Sequence, residues 1–466
     1  MRILIAAVEL APIAPAGGVA QYTMGLARAL HAKGHEIHVA VPDYGFLPPA
    51  MPAILDGITV HPVGDHDHFR SVGDARGIYA TGGDFLPWAA FSSAVATLAA
   101  SLNPQVVHCQ DAHTSLVPVM IAAERQTTPG SFAGTGTVIT IHNLLEQGRV
   151  TRAVFDRLHL PPGFFERYFE FFGQANCLKA GLLLADRVAT VSRTYAYEIG
   201  VSDEFGFGLA GVLRSLPSPV AGIVNGIDAE SWTFAEARYD GTDDVDALIV
   251  RKQAALADIL PIWAEDPTGP IVAFKARWDH QKGIVLLAEG MSEILESTRV
   301  IFDTWPEPVA GGDHFTAWKT LAALRDRYPL RLALNVPRTT SPAESAALYT
   351  AADFLIMPSV YEPCGLAQME CQRYGCIPIV RRTGGLADTV SDVNAGTRKA
   401  NGIVFDTLLK EAVVASVKRA IAVHADPAVR KSLITNALMQ HNEWDTRMDA
   451  YESLYQSVAR VSSRSL

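Results

Sequence analysis

The sequence predicts an α/β protein made of two Rossmann-like parallel-sheet domains, and three features carry that expectation. The chain has 466 residues, more than one hydrophobic core comfortably serves, so two domains of roughly 200 residues each are expected. Short apolar runs without polar alternation recur along it, as parallel strands covered on both faces require. Several of these runs lead into glycine turns that open helices, Gly17-Gly18 near the start and Gly384-Gly385 far downstream.

Taken in order, Arg2–Val8 reads as a buried strand that Pro12 and Pro15 terminate. Gly17-Gly18 then opens a helix with Val19, Tyr22, Leu26 and Leu30 at helical spacing. The strand His35–Val41 follows, and after a Pro/Gly-rich stretch from Pro42 to Gly83 come a helix through Phe91–Ser101 and the strand Gln105–His108. That strand leads to Asp111, which either faces a cleft from the strand end or only caps the next helix. Strand Thr137–Ile141 delivers His142-Asn143 at its end, where a histidine is placed to contact ligand. The aromatic run Phe164–Phe172 fits a packed helix face better than a carbohydrate-stacking surface, because helical spacing explains it. Strand Asp186–Ser192 and a helix Arg193–Gly200 precede Gly222–Trp232, which closes the first domain.

A polar, acidic segment over 233–269, with one candidate helix at Val245–Ile259, is the expected linker. Strand Ile271–Ala276 opens the second domain, and Arg277 and Lys282 after it are spaced so that one turn aims both at a diphosphate, the alternative being a solvated basic pair. Val300–Asp303, Arg331–Asn335 and Ala352–Met357 supply further parallel strands. Beyond Pro358 lies Glu362, and Pro363 suits a first helical position, so the amides of Cys364, Gly365 and Leu366 are expected to be open donors of a helix N-terminus. Strand Ile377–Val380 runs into Arg381-Arg382-Thr383-Gly384-Gly385, a second amide nest where glycine lets the backbone approach a phosphate. A Glu at a helix start also has a plain reading as a favourable first-turn charge. Strand Gly402–Phe405 and C-terminal helices complete the chain.

Composition removes several classes of function. The net charge is −10, against nucleic acid or an anionic membrane as main partner, since both call for a basic face. No apolar run approaches the ~18–20 residues of a membrane span. Cys109, Cys177, Cys364, Cys371 and Cys376 are odd in number and lack a CxxC spacing, so neither zinc nor a disulfide framework is expected. MRILIAAVEL begins directly with a strand and has no cationic segment ahead of an apolar stretch, so the expected location is cytoplasmic.

The run E-P-C-G-L-x-Q at Glu362–Gln368, followed by R-R-T-G-G-L-A-D-T-V from Arg381, closely resembles the C-terminal signature of bacterial glycogen synthases and plant starch synthases. So do V-V-H-C-Q-D-A-H at Val106–His113, T-I-H-N with Gly148 beyond it, and A-R-W-D-H-Q-K-G ending at Gly283. The resemblance covers almost the whole chain. It implies the GT-B fold, two Rossmann-like domains facing across a deep cleft: residues 1–245 on the acceptor side, 246–444 binding the nucleotide sugar, and a helix of about 445–466 returning to the first domain. It implies a retaining, metal-independent glycosyltransferase that moves a glucosyl unit from a nucleotide-diphosphate sugar to an acceptor hydroxyl, with no cofactor. Glu362, Asp111 and His142 would be catalytic. Arg277, Lys282, Gly17, Gly18, Thr383, Gly384 and Gly385 would bind the donor diphosphate, and His142, Asn143, Glu362, Cys364, Gly365 and Leu366 the donor sugar.

Two positions depart from the family pattern. Its K-x-G-G-L loop reads Pro15-Ala16-Gly17-Gly18-Val19 here, and no aromatic residue stands near Thr340 to stack on adenine. A different nucleotide sugar or a small acceptor is therefore the alternative within the fold, and a non-catalytic sugar-nucleotide-binding protein is the alternative outside enzymes. Five functional side chains at family positions argue against the latter. A phosphorylase shares the fold but is much longer and carries a cofactor-lysine motif missing here.

Overall fold

The structure, a computed structural model, describes residues 1–45, 53–64, 67, 69, 77–79, 85–228, 245–264, 269–305, 311–335, 342–394 and 400–459. Parts of the Pro/Gly-rich stretch and of the expected linker, and the segment around Thr340, lie outside the described residues. The chain divides into two compact units, Met1–Gly226 with Glu443–Leu466, and Ile227–Asn442. The sequence reading draws the corresponding boundaries at 245/246 and 444/445.

The first unit contains β1 (Arg2–Ala6), β2 (Glu36–Pro42), β3 (Ala53–Leu55), β4 (Ile58–Val63), β5 (Val106–Gln110), β6 (Gly136–Ile141), β7 (Arg149–Val150), β8 (Glu170–Phe171), β9 (Gln174–Asn176), β10 (Arg187–Thr190) and β11 (Ala221–Gly222). Eight of them form one sheet in the order β11-β10-β6-β5-β1-β2-β4-β3. Neighbours are parallel except β3 and β4, an antiparallel hairpin whose Asp56-Gly57 loop takes positive φ at both positions, as a tight hairpin requires. β5 and β6 are buried throughout, which explains their lack of alternation. Side chains still segregate by face: Leu4, Ala6, Val107 and Ile139 pack on one core, Ile3, Ile5, Val106 and Val138 on another.

On that second face lie the helix Gly18–Ala32 and a returning segment, the 3-10 turn Trp444–Arg447 with the helix Met448–Gln456. Close packing needs glycine here: a Cβ on Gly25 would fall 2.0 Å from Trp444 Nε1, and one on Gly226 2.5 Å from Trp444 Cα. The Phe164–Phe172 run is not the helix face expected from its spacing. It forms a five-residue π-helical turn, Phe165–Phe169, and then the β8–β9 hairpin, because β9 also pairs with β7 and draws the segment into a small antiparallel sheet.

The second unit contains β12 (Ile271–Arg277), β13 (Arg299–Trp305), β14 (Leu332–Leu334), β15 (Phe354–Met357), β16 (Ile377–Arg381) and β17 (Ile403–Phe405). They form an all-parallel sheet in the order β14-β13-β12-β15-β16-β17. In both sheets the strand order reverses once, between β1 and β5 and between β12 and β15. In open α/β sheets ligands bind at that reversal, outside the carboxyl ends of the strands.

Candidate functional site

In the second unit three turns meet at the carboxyl ends of β12, β15 and β16. After β12, Asp279 accepts the Gln281 amide at 3.0 Å and starts a 3-10 turn, His280–Lys282. Gly283 closes it with φ +67; a Cβ there would lie 2.0 Å from the Pro358 carbonyl oxygen. The Val360 amide donates to the Gln281 carbonyl at 2.8 Å, so the turn after β15 is locked to the turn after β12. Lys282 Nζ then lies 2.9 and 2.7 Å from the two carboxylate oxygens of Glu362. Ser359 Oγ donates to the same carboxylate at 3.0 Å. Glu362 is buried, and a buried carboxylate needs such partners.

Thr383-Gly384-Gly385 presses onto this pair of turns. Gly384 takes φ +43 and a Cβ would fall 1.9 Å from the Glu362 carbonyl oxygen, while one on Gly385 would fall 2.2 Å from that of Cys364. The Gly385 amide donates to the Glu362 and Pro363 carbonyls at 3.0 and 3.2 Å. It is thus an internal tie, not the open phosphate donor that the sequence suggests. The expectation for Pro363 also needs correction, because the helix starts at Ala367, not at Pro363. Gly365 turns the chain through φ +72, and Gln368 Nε2 takes the Cys364 and Gly365 carbonyls at 3.1 and 3.0 Å. Arg277 stands apart from Lys282: its side chain is 59% exposed and 3.6 Å from Asp279, the solvated arrangement rather than a joint grip with Lys282.

In the first unit the corresponding strand ends carry Glu9, Asp111 and His142. Asp111 does not cap the following 3-10 turn; its Oδ1 accepts the His142 and Asn143 amides at 2.6 and 3.2 Å, and its backbone is held at φ +56. His142 Nε2 lies 2.8 Å from Gln110 Oε1, and the Tyr22 ring meets the imidazole edge-on at 4.3 Å. Burial pushes the His142 pKa down to about 3, so the ring is a neutral hydrogen-bonding group at working pH. Glu9 accepts the Gly17 amide, the Ala16 amide at 3.1 Å and the Tyr79 hydroxyl. The Gly17 amide is therefore spent on a carboxylate of the same chain, in the loop where Pro15 replaces the family's lysine; Gly18 begins the helix. Glu9 and Ser359 are not among the expected site residues; Tyr22 is expected only as an apolar helix position, and Gln110 only as part of the V-V-H-C-Q-D-A-H run.

Burial raises the Asp111 pKa from its ordinary 3.8 to about 7, with nearby Glu9 and Glu146 adding to the rise. The folded protein then binds this proton more tightly than the unfolded chain, so stability falls as pH climbs from about 4 to about 7. Asp111→Asn should show a smaller decline in melting temperature across that window. Some slope should remain, since burial also raises Glu9, and lifts Glu370 to about 7. Identical slopes for the two proteins would mean that Asp111 ionises normally.

Among the described residues no group of three or more His, Cys, Asp or Glu is placed to hold a metal ion, and no helix is long and apolar enough to cross a membrane. None of the five cysteines is in a disulfide.

The starch synthase catalytic domain family matches residues 2–215, and the glycosyl transferases group 1 family matches residues 258–438. The glycogen synthase of Anaeromyxobacter sp. (strain Fw109-5) is 35% identical over 98% of this chain and 100% of its own. The chain belongs to the glycogen synthase family. The Myxococcus xanthus glycogen synthase is similar at 32% identity, over 98% of this chain and 99% of its own. The catalytic domain of starch synthase IV from Arabidopsis thaliana, solved bound to ADP and acarbose, superposes with a TM-score of 0.83 at 25% identity, over 98% of this chain and 99% of that one. Sucrose-phosphate synthase from Thermosynechococcus elongatus, at 20% identity and a TM-score of 0.63 over 98% of each chain, shares the fold. The GT-B fold expected from the motifs is the fold of this glycogen synthase family member, and glycosyl transfer is the activity class that membership carries.

Proposed function

We propose that this glycogen synthase family member elongates an α-1,4-glucan, taking the glucosyl unit from ADP-glucose with retention of anomeric configuration and without a metal. The observation that carries the reading is the Lys282–Glu362 pair, both carboxylate oxygens within 2.9 Å of Nζ, at the point where the second sheet reverses its strand order. As the bond from the anomeric carbon to the diphosphate breaks, positive charge develops on the sugar and negative charge on the leaving oxygen. The Glu362 carboxylate stabilises the first; Lys282 and the Thr383-Gly384 turn stabilise the second. The acceptor hydroxyl attacks on the face the diphosphate leaves, and its proton passes to the departing phosphate oxygen, so no separate base is required. Asp111 holds the His142-Asn143 backbone for contact with the donor sugar, and Cys364, Gly365 and Leu366 line the Glu362 turn. The reaction takes place in the cytoplasm.

A thermal-shift panel of ADP-, UDP-, GDP- and dTDP-glucose tests the donor. A ligand at a hundredfold excess over its Kd stabilises the folded state by about 2.7 kcal/mol, enough to read as a rise in melting temperature. ADP-glucose is expected to give the largest rise. A larger rise with another nucleotide sugar would replace the donor, and the Glu9-occupied loop beside Pro15 would then be the first place to look for the cause.

A further inference from the structure

Tyrosine hydroxyls in a core cost free energy unless bonded, and phenylalanine would fill the same space. Three such hydroxyls, on the buried residues Tyr22, Tyr451 and Tyr455, sit in the core of the first unit, and the Tyr22 ring packs against His142. Tyr22 and Tyr451 share a hydroxyl–hydroxyl bond of 2.9 Å. Thr140 Oγ1 lies 2.7 Å from His108 Nε2, whose Nδ1 lies 2.8 Å from the Tyr455 hydroxyl. Tyr451 and Tyr455 belong to the returning helix Met448–Gln456; the rest belong to the sheet and its first helix. The Tyr22 ring is set 78° to the His142 imidazole at 4.3 Å. On its other side His142 is tied to Gln110 at 2.8 Å.

We propose that Tyr22, fixed by the Tyr451 hydroxyl of the returning helix, and Gln110 are positioning residues that clamp the His142 ring in its sugar-contacting orientation. This rests on the reading of His142 as a donor-sugar contact. Neither clamp residue touches substrate; each acts through His142.

The test uses the full chain, with Tyr451→Phe, Tyr22→Phe and the double variant, each also in a His142→Ala background, and measures kcat, donor KM and melting temperature well below unfolding. Tyr451→Phe is expected to lower kcat about tenfold, a sub-ångström error of placement being costly in a reacting geometry, with donor KM changed by less than about twofold. The double Phe variant removes both hydroxyls, which relieves the unpaired group and restores melting temperature toward wild type, yet kcat should stay low. In the His142→Ala background Tyr451→Phe should change kcat by less than about twofold. Recovery of kcat together with melting temperature in the double variant, or the same tenfold loss without His142, would overturn the clamp. Full activity of His142→Ala by itself would instead remove the sugar-contact reading, a separate and distinguishable failure. Should the tyrosine variants not fold, Gln110→Ala probes the opposite side of the ring by the same comparison with His142→Ala.

Discussion

Glucosyl transfer by Glu362→Ala is expected to be about 10²–10³-fold slower than wild type, the usual cost of removing a preorganised charge-stabilising group. Two effects combine in this variant. The carboxylate proposed to face the developing positive charge is gone, and Lys282 loses the partner that holds its Nζ at 2.7 and 2.9 Å. Breaking a fully buried pair costs about 3–5 kcal/mol; the Lys282 side chain is 20% exposed, so water recovers part of that and about 1–2 kcal/mol remains. Glu362→Gln separates the effects. It keeps the shape and one acceptor oxygen for Ser359 or Lys282 but removes the charge, so it should lose less melting temperature than Glu362→Ala while kcat stays about a hundredfold down. Measured on ADP-glucose with a glucan acceptor, full kcat in Glu362→Gln would take this residue out of the chemistry.

The largest structural effect is expected at Gly384. Alanine there meets two obstacles, the left-handed conformation at φ +43 and a carbonyl oxygen 1.9 Å from the new methyl group. The first costs about 1–2 kcal/mol. The second cannot be relieved by a rotamer change, because the obstructing atom is backbone; the turn must lift away from Glu362 and give up the Gly385 amide's bonds to the Glu362 and Pro363 carbonyls. A combined loss of about 3–5 kcal/mol follows, together with loss of donor-induced stabilisation. Gly163→Ala is the control, with φ +82 but no atom within 4 Å of the added carbon, so it bears the conformational strain without the collision. Equal melting temperatures for the two variants would mean that the Gly384 turn is not pressed against Glu362 as described.

Much of this arrangement could be read from the residues alone, for a physical reason. Parallel strands covered on both faces leave unbroken apolar runs, and Ala352–Met357 contains β15 almost to the residue. Glycine turns announce themselves where a Cβ has no room, as at Gly283, Gly384 and Gly385. What the sequence conceals is which groups satisfy one another. Lys282 and Glu362 are each conspicuous, but 80 positions separate them and nothing local says that they pair. Glu9 depends on Tyr79, 70 positions away. The helix expected from Pro363 begins at Ala367, because the Gln368 side chain takes up the carbonyls that would have started it. In Phe164–Phe172 helical spacing gives way at Glu170–Phe171 to the hairpin with β9, which the non-local pairing of β9 with β7 holds in place and periodicity cannot register.

The first unit is built from two separate stretches of chain, and this imposes an order on its assembly. Residues 227–442 are continuous and can fold as soon as they leave the ribosome. Unit one cannot finish then, because Trp444, Tyr451 and Tyr455 are made only after all of unit two. At about 5–20 residues per second, the roughly 230 residues that separate the end of its first stretch from Tyr455 take about 10–50 s to translate. Throughout that interval the sheet face formed by Ile3, Ile5 and Val106 is covered only by the helix Gly18–Ala32. A stop codon ahead of Trp444 would leave the first unit permanently in that half-covered state, with the packing of Trp444, Tyr451 and Tyr455 on it missing.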